Sequence, residues 1–153
     1  MSKQAMTNSK AEILLVEDNH GDIRLTQEAF GESSIANTLH VVTDGVEALD
    51  FLHQRGEYTD APQPNIILLD LNLPRKDGDE LLGELREGPT DFSHIPIIIL
   101  TSSKAQEDVV KSYELKANAY LTKPVDPSEF IETIQAFKTF WLNTVRLPPN
   151  IQQ

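Results

Sequence analysis

Four short apolar runs of this chain end in side chains that can do chemistry. Glu17 and Asp18 end one run, Asp70 ends another, and Thr101 and Lys123 each directly follow one of the other two. Carboxylates can bind a metal ion or act as nucleophiles, while a hydroxyl and an ammonium group can bind an anionic group. These side chains form one site only if the fold brings the strand ends together.

The apolar runs alternate with segments of helical periodicity. The runs lie at 11–18, 39–44, 65–70, 95–100 and 117–122. Three of them are too continuously apolar for a sheet with an exposed face, which indicates strands buried on both faces. Helix starts are predicted at "DPSE" (126–129), with a cap and a first-turn proline, and at Ser103 with Gln106. Five βα units predict a parallel sheet with helices on both faces.

In such a sheet, ligands bind beyond the carboxyl ends of the strands. There, the carboxylates of Glu17, Asp18 and Asp70 face the single positive charge of Lys123. Two like charges ~4 Å apart repel by about 4 kcal/mol at an effective dielectric near 20. A hard divalent ion such as Mg²⁺ balances the remaining charge, keeps several waters and binds phosphate oxygens. The pattern therefore predicts magnesium-assisted phosphoryl chemistry, with an aspartate as a possible nucleophile.

Composition narrows the function classes. The 153 residues, 39% of them hydrophobic, are typical of one domain. The net charge of −11 repels phosphate backbones and anionic lipids, so we expect neither nucleic acid nor a membrane as partner. No secretory signal or membrane-length apolar run is found, which favours the cytoplasm. The absence of cysteine excludes thiolate sites and disulfides.

The fragments "LLVEDN", "LLDLNLPRKDG", "ILTSS" and "AYLTKP", in this order and spacing, resemble the receiver domain of two-component response regulators. The resemblance covers about residues 11–140. It implies a flavodoxin-like (βα)5 parallel sheet with strand order 2-1-3-4-5. It also implies a signalling protein that assists only its own phosphorylation and dephosphorylation, rather than an enzyme with a separate substrate.

The resemblance also implies roles for individual residues. Asp70 is the phosphoryl acceptor, and Mg²⁺ is held by Asp18, Asp70 and the backbone carbonyl of Asn72. Glu17 acts through a bound water and stands where the family more often has aspartate. The phosphoryl oxygens are bound by Lys123 and Thr101.

Two further features carry over from the family. Tyr120 is the switch aromatic, which turns inward once Thr101 moves. The peptide bond between Lys123 and Pro124 is expected to be cis, a form that an X-Pro bond tolerates.

Two segments, "GEY" (56–58) and "FWLNTVRLP" (140–148), resemble the stand-alone response regulators of bacterial phytochromes. The implied function is a single-domain response regulator that accepts a phosphoryl group on Asp70 from a sensor histidine kinase, a phytochrome, and switches its interaction surface. A relay that passes the phosphoryl group to a histidine phosphotransfer protein remains open. A phosphatase of the haloacid-dehalogenase type requires a second aspartate at position 72, which is Asn72 here.

Structural alternatives exist for single residues. Asp70 could begin a turn, and Asp18 or Asn19 could cap the first helix. Tyr120 could be an ordinary core aromatic. The functional interpretation is favoured only because these residues occur together at the ends of the predicted strands.

The C-terminal segment has more apolar residues than the last helix requires. We predict a tail at 1–10 that is disordered, a receiver domain at 11–140 and a dimerisation extension at 141–153. A symmetric homodimer would be anchored by Phe137, Phe140, Trp141, Val145 and Leu147. The alternative is that these aromatic residues fold back on the domain's own core.

Overall fold

The structure, a computed structural model, describes residues 11–31, 37–88, 92–144 and 147. The predicted N-terminal tail, residues 1–10, lies outside them. The strands are β1 (Ala11–Val16), β2 (Asn37–Val42), β3 (Ile66–Leu69), β4 (Ile97–Thr101) and β5 (Ala119–Thr122). The α-helices are α1 (His20–Gly31), α2 (Gly45–His53), α3 (Gly78–Glu87), α4 (Gln106–Glu114) and α5 (Pro127–Lys138). A 3₁₀-helix spans Gly56–Tyr58, and a π-helix, Thr139–Thr144, follows α5.

These five strands form one parallel sheet in the order β2-β1-β3-β4-β5. The order changes direction where β1 meets β3, and ligands bind at such a point in open α/β sheets. The predicted flavodoxin-like fold of order 2-1-3-4-5 is confirmed.

Alternate residues of the strands point to opposite faces of the sheet and form two cores. In β1, Ile13 and Leu15 join the core beneath α1 and α5, whereas Leu14 and Val16 join the core beneath α2 and α3. The strands β3 and β4 are buried along their whole length. Burial on both faces explains why these strands are continuously apolar in the sequence.

Three of the helices begin with a capping aspartate, which accepts the backbone N–H three residues further on. These residues are Asp44 before α2, Asp77 before α3 and Asp126 before α5. The start predicted for the last helix is thereby confirmed. The cap predicted at Ser103 is wrong, because α4 begins after Ala105 and the Ser103 oxygen accepts the Ala105 N–H at 3.2 Å, before the first helical residue.

Helix α4 is weakly anchored to the rest of the domain. Of its residues only Ser112 is buried, and Val110 and Tyr113 are about half exposed. A helix with so few buried apolar contacts is free to shift at little cost.

No helix in the described part of the chain is long and apolar enough to cross a membrane. The longest of these helices, α1 and α5, have 12 residues each, whereas a bilayer needs ~20.

The segment after α5 packs partly on the domain's own core. Phe137 is 5% exposed, and its ring lies edge-on to Phe30 with the centroids 6.5 Å apart. Trp141 is half-buried against the same core, whereas Phe140 is 53% exposed. Phe137 therefore packs in the domain's own core, as the own-core alternative expects. Val145 lies outside the described residues.

Candidate functional site

The fold brings the candidate side chains to one edge of the sheet. Glu17 follows β1 and Asp70 follows β3, and these two strands are paired in register up to their ends. Thr101 ends β4, and its carbonyl accepts the backbone N–H of Lys123 at 2.7 Å. The carboxylates, the hydroxyl and the ammonium group therefore share one small region.

Lys123 is the electrostatic centre of this region. Its Nζ lies 2.7 Å from Glu17 Oε1, 2.9 Å from Asp70 Oδ2 and 2.8 Å from Asp22 Oδ2. Glu17 is 1% exposed and Asp70 is 6% exposed. An ammonium group has three N–H donors, so each of them has a carboxylate within reach.

Asp22 is a carboxylate of this site that inspection of the sequence missed. It lies in the first turn of α1, and its backbone N–H donates to Asn19 Oδ1 at 2.9 Å. The available signal was its place at the start of the helix that leaves β1, four residues after Asp18. With Asp22 included, three carboxylates contact Lys123, and the exposed carboxylate of Asp18 lies beside two of them.

The buried carboxyls differ in their affinity for protons. Burial raises the pKa of Glu17 to about 7, although the hydrogen bond from Lys123 opposes this shift. Burial also acts to raise the pKa of Asp70, but hydrogen bonds from Lys123, Glu17 and the Asn72 N–H outweigh it and lower that pKa. Near neutral pH Glu17 is therefore protonated in about half of the molecules, whereas Asp70 remains a carboxylate.

The donor set fits a divalent cation. Carboxylate oxygens of Glu17, Asp18 and Asp70 lie within 4.8 Å of one another. Asn19, rather than Asp18, provides the cap of α1, and Asp18 is exposed. Hard cations such as Mg²⁺ and Mn²⁺ prefer oxygen ligands, and the excess of negative charge favours binding of either.

Thr101 carries a buried hydroxyl whose oxygen has no hydrogen-bond partner in the described part of the chain. An unsatisfied buried hydroxyl costs about 1–3 kcal/mol, so its presence at the strand end requires an explanation. Tyr120, on the neighbouring strand, is half-buried and donates its hydroxyl to the Ser103 carbonyl at 3.1 Å. Tyr120 thus links β5 to the loop that follows Thr101.

The loop between β3 and α3 is held from two sides. Arg75, which adopts a left-handed backbone conformation with φ of 65°, donates to both oxygens of Asp44 at 2.9 and 3.0 Å. Gly78 donates its N–H to the Leu71 carbonyl at 2.9 Å, and a Cβ at this glycine would lie 2.5 Å from the Asp70 carbonyl oxygen. The backbone that carries Asp70 is therefore tightly enclosed.

Comparison with known proteins assigns the family. A sequence profile described as "Response regulator receiver domain" matches residues 13–135. The chain belongs to this family. This receiver domain is therefore a response regulator, a signalling protein.

The receiver domain has similar relatives of nearly equal length. Response regulator Rcp1 of Synechocystis sp. is 47% identical over 142 residues, which are 93% of this chain and 96% of Rcp1. The crystal structure of the Mn(2+)-bound form of Rcp1 gives a TM-score of 0.87 and covers 91% of this chain and 99% of that one. The structure of phosphorylated RcpA, a cyanobacterial phytochrome response regulator, is 43% identical with a TM-score of 0.88, covering 92% of this chain and 100% of RcpA.

This receiver domain departs from one expectation of the family resemblance. The peptide bond between Lys123 and Pro124 is trans, because no cis bond occurs among the described residues. The predicted cis bond is thus wrong for this structure. Trans is intrinsically preferred before proline by about 0.5–1 kcal/mol, and the arrangement of Lys123 around three carboxylates is reached without cis.

Proposed function

We propose that this response regulator accepts a phosphoryl group on Asp70 from a phosphohistidine of a sensor histidine kinase. The observation that carries the proposal is an ionised, buried Asp70 at the same sheet edge as Lys123 and as the Thr101 hydroxyl, which has no hydrogen-bond partner among the described residues. In the transfer, an Asp70 oxygen forms the new P–O bond while the P–N bond to histidine breaks. Lys123 and Thr101 then bind phosphoryl oxygens.

The direct test is transfer of radiolabelled phosphate from a phosphorylated histidine kinase to the full chain. We expect acid-labile label on the chain with Mg²⁺ present and none after chelation. A chain that accepts label equally well without a divalent cation would contradict the proposed role of the acidic cluster.

We infer that Mg²⁺ is the resident cation, held by Asp18 and Asp70 with the Asn72 carbonyl, and with Glu17 beside it. Bound Mg²⁺ would neutralise charge on the phosphoryl oxygens during transfer. The support is the cluster of carboxylate oxygens and its negative charge excess. Mg²⁺ keeps several waters and binds one or two carboxylates, which fits a site in which Asp18 is exposed to solvent.

Mg²⁺ binding should release a proton near neutral pH. Glu17, with a pKa of about 7, is largely protonated at pH 6.5, and a neighbouring cation favours its ionised form. We expect Mg²⁺ to acidify a weakly buffered solution at pH 6.5 and to release far less at pH 8.5, so that affinity rises with pH through about 7. The control Glu17→Gln should show no such release. Equal release from this variant would assign the proton to another group.

We propose that phosphorylation is signalled through Thr101 and Tyr120. The Thr101 hydroxyl turns toward the phosphoryl group, and the contact of Tyr120 with the Ser103 carbonyl changes with it. The weak anchoring of α4 supports a shift of this side of the domain.

The switch is testable with beryllofluoride, which stands in for the phosphoryl group on Asp70. We expect the NMR signals of the Tyr120 ring to move in the wild type and in Thr101→Ser. In Thr101→Ala they should stay close to those of the free protein, because the hydroxyl is gone. A full response of the alanine variant would remove Thr101 from the switch.

We propose a homodimer through the C-terminal segment, with Phe140 as its main exposed anchor. The Phe140 ring is 53% exposed and lies 6.0 Å from that of Trp141, which is half-buried, as is Leu147. Exposed aromatic residues are frequent anchors of interfaces, and a twofold contact is the usual arrangement.

Light scattering at micromolar concentration tests the dimer. We expect the full chain to have twice the monomer mass and Phe140→Ser to be mainly monomeric. Tyr113→Ser, which removes an equally exposed aromatic ring from α4, serves as the control and should leave the mass unchanged. A monomeric wild type, with and without beryllofluoride, would contradict the proposal.

The phosphoryl donor that fits best is a phytochrome kinase, because RcpA is described as a phytochrome response regulator. The protein then acts in the cytoplasm, where kinases obtain ATP, and its net charge of −11 disfavours nucleic acid as a target. A relay to a histidine phosphotransfer protein uses the same Asp70 chemistry, and transfer of label onward to such a protein would distinguish it. A phosphatase is disfavoured, because the amide of Asn72 cannot serve as a general acid or base.

A further inference from the structure

A groove lies beside the edge strand β2, away from the residues assigned to phosphoryl transfer. It has a volume of about 350 Å³ and is lined by His40, Val41, Phe51, Glu57, Tyr58, Asp60, Ala61 and Pro62. We call this set the β2 groove. Among the described residues, strand β2 is hydrogen-bonded only to β1, so its other edge offers backbone groups to an incoming strand.

Aromatic rings form the floor of the β2 groove. The ring of Phe51 lies 5.3 Å from that of His40 and 5.5 Å from that of Tyr58, centroid to centroid. His40 is fixed by its Nε2, which lies 2.7 Å from Glu12 Oε1. Phe51 is buried, whereas His40 and Tyr58 are half-buried and keep part of their surface open.

The wall of the groove is preformed by the segment between α2 and β3. Gln54, in the left-handed conformation that ends α2, donates its side-chain amide to the Ala61 carbonyl at 2.6 Å. The Ala61 N–H donates in turn to the Tyr58 carbonyl at 3.0 Å. A segment closed by its own hydrogen bonds loses little entropy when a partner binds.

The rim of the groove is negatively charged. Glu57 and Asp60 are exposed, and neither forms an ion pair within the described residues, whereas nearby Arg55 and Arg75 are engaged by Asp50 and Asp44. Carboxylates around the Tyr58 ring also act, after burial, to raise the pKa of its phenol. The groove therefore combines open ring surface with uncompensated negative charge.

We propose that the β2 groove binds an extended, arginine-bearing segment of a partner protein. A guanidinium group stacks on aromatic rings and pairs with carboxylates, so it matches the floor and the rim at once. The backbone of the segment lies along the open edge of β2, as in strand addition. For this acidic groove a basic segment is a better match than a second copy of the chain, whose 24 Asp and Glu residues outnumber its 13 Lys and Arg residues.

The proposed docking is independent of phosphorylation. The groove includes none of the residues assigned to the acceptor, the cation or the switch. We therefore expect the partner segment to bind equally well with and without beryllofluoride on Asp70. A failure of the phosphoryl-transfer proposal would leave this inference untouched, and the reverse also holds.

The test uses a named probe, the acetylated and amidated heptapeptide Gly-Thr-Val-Arg-Val-Thr-Gly, titrated into the ¹⁵N-labelled full chain. We expect the amide signals of residues 40–41 and 57–61 to shift selectively. The same peptide with citrulline in place of arginine keeps the shape but lacks the charge, and we expect it to bind at least five-fold more weakly. Equal binding of the two peptides, or shifts outside the groove, would overturn the proposal.

Two double variants test whether the peptide binds to the β2 groove or only to the negative charge of the protein as a whole. Glu57→Gln with Asp60→Asn removes two exposed charges, and we expect the arginine peptide to bind at least five-fold more weakly. Glu107→Gln with Glu114→Gln removes the same charge from α4 and should change binding less than two-fold. An equal loss in both double variants would contradict the proposal. So would shifts of the groove signals with protein concentration alone, which would identify a second copy as the occupant.

Discussion

Asp70→Asn should lower the acid-labile phosphate accumulated on the chain at least about 100-fold, because an amide cannot replace the carboxylate oxygen that attacks phosphorus. The wild-type carboxyl is kept ionised by Lys123, whose Nζ lies 2.9 Å from Asp70 Oδ2, against the effect of burial. The measurement is the label transferred from a phosphorylated histidine kinase in the presence of Mg²⁺.

The matched control for this experiment is Asp50→Asn. Asp50 lies on α2 and pairs with Arg55 at 3.3 Å in an exposed position, where an ion pair contributes little. The Asp50→Asn variant should accept phosphate at the wild-type level. If Asp70→Asn carried as much acid-labile label as the control, the acceptor would have to be another carboxylate of the site, and Glu17, Asp18 and Asp22 would be the candidates.

Much of the fold could be predicted because parallel strands that are buried on both faces have continuously apolar sequences. The runs that became β3 and β4 are of this kind, and every residue in these two strands is buried. The strand order could not be predicted in this way, because no local sequence pattern indicates that β1 and β3 are neighbours. That step came from the family resemblance, and the pairing of these strands is what places Glu17 beside Asp70.

The features that could not be predicted depend on which of several available contacts a side chain makes in the folded domain. Acidic residues such as Asp22 are common in the first turn of a helix. Only the position of Lys123 in the folded domain brings Asp22 into the site. The Ser103 oxygen could have capped α4, but it accepts the Ala105 N–H at 3.2 Å, before the helix begins, while its hydroxyl donates to Asp108. Phe137 has the same helical spacing as an interface residue, and packing against Phe30 decides its burial.

The second large effect is expected from Gly78→Ala, which adds one methyl group behind the acceptor residue. The new Cβ would lie 2.5 Å from the Asp70 carbonyl oxygen and 2.6 Å from Leu71 Cα. Both are backbone atoms, so no side chain can rotate away and the loop that carries Asp70 must move. We expect the free energy of unfolding to fall by about 1–3 kcal/mol, as for other overpacked sites, and phosphoryl transfer to slow with it.

Gly83→Ala is the control within the same helix, α3. Apart from its own helix backbone, a Cβ at Gly83 would meet no atom of the described residues within 4 Å, so the added methyl group has little steric cost. Alanine is favoured over glycine inside a helix by roughly 0.5–1 kcal/mol, so this variant should be slightly more stable than the wild type and should transfer phosphate normally. Urea unfolding followed by circular dichroism, together with initial transfer rates, measures both effects. If Gly78→Ala matched Gly83→Ala in both, the enclosure of the Asp70 backbone would not be what positions the acceptor.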